Sequence, residues 1–123
     1  MSAEAITGGC QCGAVRYRVE ALGRASICHC RMCQKAFGGF FGPLVTGKGL
    51  AWTRGKPATF ASSNKISRGF CEKCGTPISY QGEKWPGETH FLVGGFDDPS
   101  PFTPTGDVFK DEALAWCAPD ERA

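Results

Sequence analysis

The segment at residues 10–20 reads Cys10-Gln11-Cys12-Gly13-Ala14-Val15-Arg16-Tyr17-Arg18-Val19-Glu20 and joins a cysteine pair directly to a strand pattern. Apolar residues at positions 15, 17 and 19 alternate with charged ones, which is typical of a strand buried on one face. On an extended segment residues i and i+2 point the same way, so Cys10 and Cys12 can present two sulfur atoms to one metal ion. The segment therefore predicts a strand attached to half of a metal site.

A second cysteine pair lies past the middle of the chain, in Cys71-Glu72-Lys73-Cys74-Gly75. The two intervening residues let the chain turn around an ion, and Gly75 can take the positive φ that such a turn often needs. The two pairs together would form a closed four-sulfur zinc site, for which we expect a structural role. The alternative is that these four residues are free buried cysteines.

The middle cluster, Cys28-His29-Cys30-Arg31-Met32-Cys33, combines a CxC and a CxxC motif that share Cys30. Three cysteines leave one position of a tetrahedral zinc ion open. Because three thiolates outweigh the charge of Zn²⁺, the ion would be a weak Lewis acid for carbonyls and better suited to holding a reactive thiolate. A thiol cosubstrate is thus the favoured fourth ligand, and its thiolate could attack a small electrophile such as an aldehyde.

An internal fourth ligand is the alternative, and it would make both zinc sites structural. The candidates are Cys117, His29 and His90. His29 lies between two metal-directed cysteines, so its ring is expected to point away from the ion. His90 is interpreted as a partly exposed edge residue, and Cys117 as a small apolar side chain near Trp116.

The composition indicates one modest globular domain and a reducing compartment. The chain has 123 residues, a net charge of +2, 41% hydrophobic residues and eight cysteines. Its N-terminus shows no secretory signal pattern, so the cysteines are interpreted as metal ligands in the cytoplasm, with a secreted disulfide-linked domain as the alternative. The sequence has no cluster of basic residues that would predict a nucleic acid or a membrane as a partner. It does not indicate an oligomeric state.

Short strand patterns separated by Gly, Pro, Asn or Asp predict an all-β fold with little helix. A single domain is expected over residues 1–117, followed by a polar tail over residues 118–123. Only residues 31–37 favour a helical turn, and residues 97–106 read as a surface loop. The predicted strands cover residues 14–20, 40–46, 50–53, 58–62, 66–70, 77–80, 90–96 and 107–110.

Two further features near the cysteine motifs have alternative interpretations. The segment Phe37-Gly38-Gly39-Phe40-Phe41-Gly42 could line a ligand pocket or form a core strand with a bulge. Four cations could meet the carboxylates of an anionic thiol peptide or be solvated at the surface, namely Arg31, Lys35, Arg68 and Lys73.

The three motifs, extended by their neighbours, resemble the signature of the glutathione-dependent formaldehyde-activating enzyme family. The matching segments are residues 8–17, 28–38 and 70–78, together with Gly94-Gly95-Phe96-Asp97-Asp98-Pro99 and the closing Trp116. The resemblance implies a small Mss4-like β fold with two zinc ions per chain. One, the structural zinc, would be held by Cys10, Cys12, Cys71 and Cys74, and the other, the catalytic zinc, by Cys28, Cys30 and Cys33.

The activity that the resemblance implies is that of a carbon–sulfur lyase. It adds formaldehyde to glutathione and forms S-(hydroxymethyl)glutathione. The implied partners are therefore a small-molecule thiol of the glutathione type and an aldehyde. The alternative class is a non-catalytic module, either a zinc-binding glutathione carrier or a structural scaffold for protein contacts.

Overall fold

The structure, a computed structural model, describes residues 5–63, 65–84 and 86–117, which are mostly strands. This part of the chain contains one α-helix, α1 (Arg31–Phe37), and two 3₁₀ turns, at Val93–Gly95 and Lys110–Glu112. The prediction of an all-β fold with little helix is confirmed. The strands are β1 (Ile6–Gly9), β2 (Arg16–Val19), β3 (Ala21–Cys28), β4 (Gly42–Lys48), β5 (Ala51–Arg54), β6 (Ala58–Ser63), β7 (Ile66–Phe70), β8 (Pro77–Gly82), β9 (Thr89–Leu92) and β10 (Gly106–Val108).

The strands form a three-stranded sheet, in the order β1-β2-β5, and a seven-stranded sheet, in the order β10-β3-β4-β9-β8-β7-β6. β10 runs parallel to β3, whereas β3, β4 and β9 pair antiparallel. The main core contains Tyr17 and Val19 of the small sheet and Val45 and Phe91 of the large one. It therefore lies between the two sheets.

Alternation along β4 gives the large sheet two different faces. Val45 belongs to the main core, whereas its neighbour Leu44 packs with Cys28 and Cys33. Successive side chains of a strand point to opposite faces, so the two apolar clusters lie on opposite sides of the sheet. The middle cysteine cluster and α1 thus lie on the face of the large sheet opposite the main core.

Several predicted elements coincide with the observed ones. The strand at residues 66–70 and the helical turn at residues 31–37 have the predicted bounds. Val15, Tyr17 and Val19 are 4%, 1% and 0% exposed, as the alternation predicted. β1 and β3 were not predicted. β3 carries Gly23 and Arg24 at a register shift against β4, and this shift interrupts the alternation that would mark it.

Other expectations are corrected by the structure. The strand predicted at residues 90–96 ends at Leu92 and continues as a 3₁₀ turn, and the last strand spans Gly106–Val108. His90 is not an edge residue, because β9 lies between β4 and β8 and the residue is 6% exposed. Within the predicted loop, Phe102 packs against the main core. The predicted tail, residues 118–123, lies outside the described residues, and the single domain over residues 1–117 stays a prediction.

None of the described helices has the length and apolar character needed to cross a membrane.

Candidate metal centres and an adjoining cavity

The cysteines of the first and last motifs come together in space. The Cys10 and Cys12 sulfur atoms are 3.6 Å apart, and those of Cys12 and Cys71 are 3.8 Å apart. With Cys74 they form a group whose four sulfur atoms all lie within 4.8 Å of one another. Zinc–sulfur bonds of about 2.3 Å place tetrahedral sulfur atoms about 3.8 Å apart, so the four-sulfur site has the size that zinc needs.

Backbone turns shape both halves of the four-sulfur site. The Gly75 N–H donates to the Cys71 carbonyl at 2.8 Å, and the Gly13 N–H donates to the Cys10 carbonyl at 3.2 Å. Gly13 and Gly75 have φ values of 84° and 82°, so the positive φ predicted for Gly75 is confirmed. Both positions favour glycine because a Cβ atom is strained in this region.

Thr76 joins the two halves of the four-sulfur site. Its hydroxyl oxygen accepts the Gln11 N–H at 3.1 Å and lies 3.1 Å from the Cys74 sulfur. Hydrogen bonding with this hydroxyl lowers the pKa of Cys74 to about 5. This hydrogen bond therefore favours the thiolate form of Cys74, which is the form that binds metal.

The middle motif forms a separate three-sulfur site. Cys28 ends β3, Cys30 caps the N-terminus of α1, and Cys33 lies in its first turn. The Cys28 and Cys30 sulfur atoms are 3.5 Å apart, and all three lie within 4.8 Å of one another. The Cys33 N–H donates to the Cys30 sulfur at 3.3 Å. The helix start thus brings three thiols of one short segment to one point.

No fourth donor joins the three-sulfur site among residues 5–63, 65–84 and 86–117. Cys117 is buried, and its N–H donates to the Leu114 carbonyl at 2.9 Å. The His29 ring nitrogen Nε2 lies 2.6 Å from the Asp107 carboxylate. The His90 ring packs edge-on against Tyr80 with ring centroids 4.4 Å apart, and burial lowers its pKa to about 4.

The segment after β10 holds the three-sulfur loop in place. The His29 N–H donates to the Val108 carbonyl at 3.0 Å. The buried Gln34 amide donates to the carbonyls of His29 and Glu112 at 2.9 and 3.1 Å, and the Glu112 carboxylate accepts the Arg31 N–H. The sequence did not predict that Gln34, Asp107 and Glu112 meet at the cysteine loop, because nothing in their spacing shows that the chain's last described segment returns to it.

Arg68 is the cation next to the three-sulfur site. Its Nη2 lies 3.9 Å from the Cys33 sulfur, and its guanidinium lies between the rings of Phe37 and Tyr80, at 5.4 and 5.3 Å from their centroids. The residue is 7% exposed. The interpretation of Arg68 as a solvated surface cation is therefore wrong, since sheet register places it opposite Tyr80 on the face that α1 covers.

Without metal, the thiols of Cys28 and Cys33 share a proton unequally. A hydrogen bond from the Cys28 thiol lowers the pKa of Cys33, and the same hydrogen bond raises the pKa of Cys28. Burial raises the pKa of the neighbouring Tyr80 to about 12. Of these two thiols, Cys33 therefore ionises more readily than Cys28.

A cavity of about 640 Å³ is lined by Cys10 of the four-sulfur site and comes near the middle cluster through two side chains, although none of the middle cysteines lines it. Phe37 and Leu92 pack against Cys28 and Cys33, and both also line the cavity. Its other walls include Phe41, the backbone of Gly94 and Gly95, and the ion pair between Arg16 and Asp97. Of the two interpretations of residues 37–42, pocket lining is therefore confirmed for Phe37 and Phe41.

The four cations considered from the sequence have different positions. Arg31, Lys35 and Lys73 are exposed and line neither this cavity nor a second one of about 390 Å³. Arg68 lines the second cavity, together with Phe60 and Phe70. Arg16 is the cation of the larger cavity, and Asp97 already binds it through two contacts of 2.9 and 2.5 Å.

Comparison with solved structures supports the fold. The crystal structure of a Rhodobacter sphaeroides protein, a structural-genomics target, is similar to this chain with a TM-score of 0.67 and 24% sequence identity. The match covers 83% of this chain and 99% of the other. At this identity the likeness bears on the fold alone.

Comparison with protein families bears on the whole arrangement of motifs. The sequence profile described as glutathione-dependent formaldehyde-activating enzyme matches residues 5–112, which include all seven cysteines of the two clusters. The chain belongs to the glutathione-dependent formaldehyde-activating enzyme family.

Proposed function

We propose that the protein is a zinc-dependent carbon–sulfur lyase that adds a small aldehyde of the formaldehyde type to a thiol cosubstrate of the glutathione type. The observation that carries the proposal is the three-sulfur cluster, which has no fourth donor in the described part of the chain. Phe37 and Leu92, which pack against this cluster, also line a cavity of about 640 Å³. A closed site would have no place for a substrate, whereas an open one does.

Both cysteine groups suit zinc, because closely spaced thiolates favour a borderline-soft ion with tetrahedral geometry. Cys10, Cys12, Cys71 and Cys74 would hold the structural ion, and Cys28, Cys30 and Cys33 the catalytic one. Zinc held by these three cysteines would stabilise the thiolate form of a thiol at its open position at neutral pH.

The chain's own residues bind and orient the thiol. Phe37 and Leu92 pack against the three-sulfur cluster and also form part of the cavity wall, so a thiol peptide in the cavity would have to pass these two side chains to bring its sulfur to the cluster. Gly94 lets the backbone approach such a ligand, because space beside it is open. In the reaction a carbon–sulfur bond forms, the carbonyl becomes a hydroxyl, and the thiol proton ends on that oxygen.

The test is exchange NMR of glutathione with ¹³C-labelled formaldehyde, since thiols also react with formaldehyde spontaneously. We expect the wild type to accelerate interconversion above the protein-free rate and Cys33→Ser to abolish the acceleration. Cys117→Ser is the matched control, because this buried cysteine belongs to neither cluster, and it should retain wild-type rates.

The competing proposal is a glutathione carrier or a structural scaffold. If the wild-type protein binds glutathione without accelerating exchange, the lyase proposal is wrong and the carrier proposal stands. If it neither binds glutathione nor accelerates exchange, the scaffold proposal stands. The cytoplasmic location predicted from the cysteines stays a prediction, and fractionation of cells expressing the tagged chain would test it.

A further inference from the structure

The three-sulfur site has a buried positive charge beside it. Arg68 is 7% exposed, and its Nη2 is the guanidinium nitrogen that faces the Cys33 sulfur, at 3.9 Å. Sheet register fixes this position, because Arg68 on β7 pairs with Tyr80 on β8 and with Phe60 on β6. The side chain therefore points to the face that carries α1 and the middle cluster.

No carboxylate compensates this charge in the described ranges of the chain. The Nε atom of Arg68 donates to the Ser62 hydroxyl at 3.0 Å, and the guanidinium carbon lies over the rings of Phe37 and Tyr80. Its Nη1 atom is buried and has no hydrogen-bond partner among the described residues. Both N–H groups of this nitrogen are thus unused among the described residues.

Burying an arginine without an anion is costly, since the desolvation penalty of a charge amounts to several kcal/mol. The three-sulfur site supplies the missing anion. Three thiolates around Zn²⁺ carry a net charge of −1, and a thiolate cosubstrate would raise it to −2. A fixed, largely buried cation at hydrogen-bonding distance of one sulfur offsets this excess.

We propose that Arg68 is the positioning residue and counter-charge of the three-sulfur centre. Through Nη2 it orients the Cys33 sulfur. Through Nη1 it donates a hydrogen bond to the second anionic sulfur, that of the thiol cosubstrate. Arginine suits this role better than lysine because its planar fork places two donors side by side and stacks between two rings. The inference rests on the proposed function, because it requires metal at the three-sulfur cluster.

The test is zinc affinity, measured by chelator competition on the protein loaded with two zinc ions. Arg68→Met is expected to lower the affinity for one of the two zinc ions about 10- to 100-fold. Removing a residue that contacts a metal ligand commonly has an effect of this size, about 10- to 100-fold. The four-sulfur ion serves as an internal reference for folding. Arg68→Lys, which keeps the charge, should restore part of the affinity. Arg24→Met, an exposed arginine paired with Glu88, should match wild type.

The second readout is glutathione affinity of the two-zinc protein, measured by calorimetry. We expect Arg68→Lys to weaken it about tenfold, because a single ammonium cannot serve two sulfur atoms as the fork does. If the Arg68→Met protein keeps both zinc ions and wild-type glutathione affinity, the inference about Arg68 is wrong while the proposed function stands. A wild type that binds a single zinc ion overturns the proposed function and, with it, the inference.

Discussion

The Nε2 atom of His29 lies 2.6 Å from the Oδ2 atom of Asp107, and both side chains are buried, at 0% and 6% exposure. His29 separates two cysteines of the three-sulfur site, whereas Asp107 lies on β10, which pairs in parallel with β3. Their hydrogen bond therefore ties the last strand to the cysteine loop.

Asp107→Ala is expected to lower the free energy of unfolding by about 1 to 3 kcal/mol, because it leaves a buried polar ring nitrogen without its acceptor. Asp107→Asn keeps a hydrogen-bond acceptor and should lower the free energy of unfolding by less. Urea unfolding of the zinc-loaded proteins measures both. Asp111→Ala, an exposed carboxylate from the same segment, is the control and should change stability little. Equal losses for Asp107→Ala and Asp111→Ala would contradict a specific role for the buried pair.

The sequence predicts the two cysteine groups and the strand class, and it names Arg68 as one of four candidate cations, but it does not predict that Arg68 and Asp107 are buried beside the three-sulfur site. Spacing alone places sulfur atoms on one side of a short segment, as at Cys10 and Cys12. Arg68 and Asp107 reach the middle cluster only through sheet pairing, Arg68 opposite Tyr80 and Asp107 opposite Ile27. Such long-range register has no local signature, so His90 was also placed wrongly at an edge.

Removal of the four-sulfur metal is expected to destabilise the fold strongly. The site joins the segment after β1 to the turn between β7 and β8, and Cys10 and Cys71 are also part of the main core. Cys74→Ser should lower the free energy of unfolding by about 3 kcal/mol or more, since structural zinc binding contributes directly to folding.

Thermal unfolding of Cys74→Ser with and without excess zinc checks this prediction, with Cys117→Ser as the buried cysteine outside both clusters. Cys74→Ser should melt far below Cys117→Ser and respond less to added chelator than wild type. Equal melting temperatures for both variants would show that the four-sulfur group is dispensable.

His90 is expected to make stability depend on pH near neutrality. Burial lowers its folded-state pKa to about 4 from the ordinary 6.5, with Glu88 and Arg24 acting in opposite directions. Between these values the unfolded chain binds a proton that the folded chain does not, so stability falls as the pH falls through this window. From pH 7.5 to 5.5 the loss should be about 1 kcal/mol.

The measurement is urea unfolding of wild type and His90→Asn at several pH values between 7.5 and 5.5. Because zinc release affects both proteins alike, the difference between their pH slopes isolates the histidine. The wild type should lose stability more steeply on acidification. Parallel slopes would mean that His90 is protonated equally in the folded and unfolded chains.

Gly94 offers a way to fill the cavity without disturbing the fold. It lines the cavity of about 640 Å³, its φ is not positive, and a Cβ atom built on it meets nothing within 4 Å. Gly94→Leu should therefore raise the KM for glutathione about tenfold, since lost pocket contacts of 1.4 kcal/mol correspond to that factor. Zinc content and melting temperature should stay at wild-type values.

Gly39→Leu is the matched control, because Gly39 also has open space beside it but does not line the cavity. If both variants bind glutathione as wild type does, the thiol lies elsewhere, and the link from the cavity through Phe37 and Leu92 to the three-sulfur cluster carries no substrate.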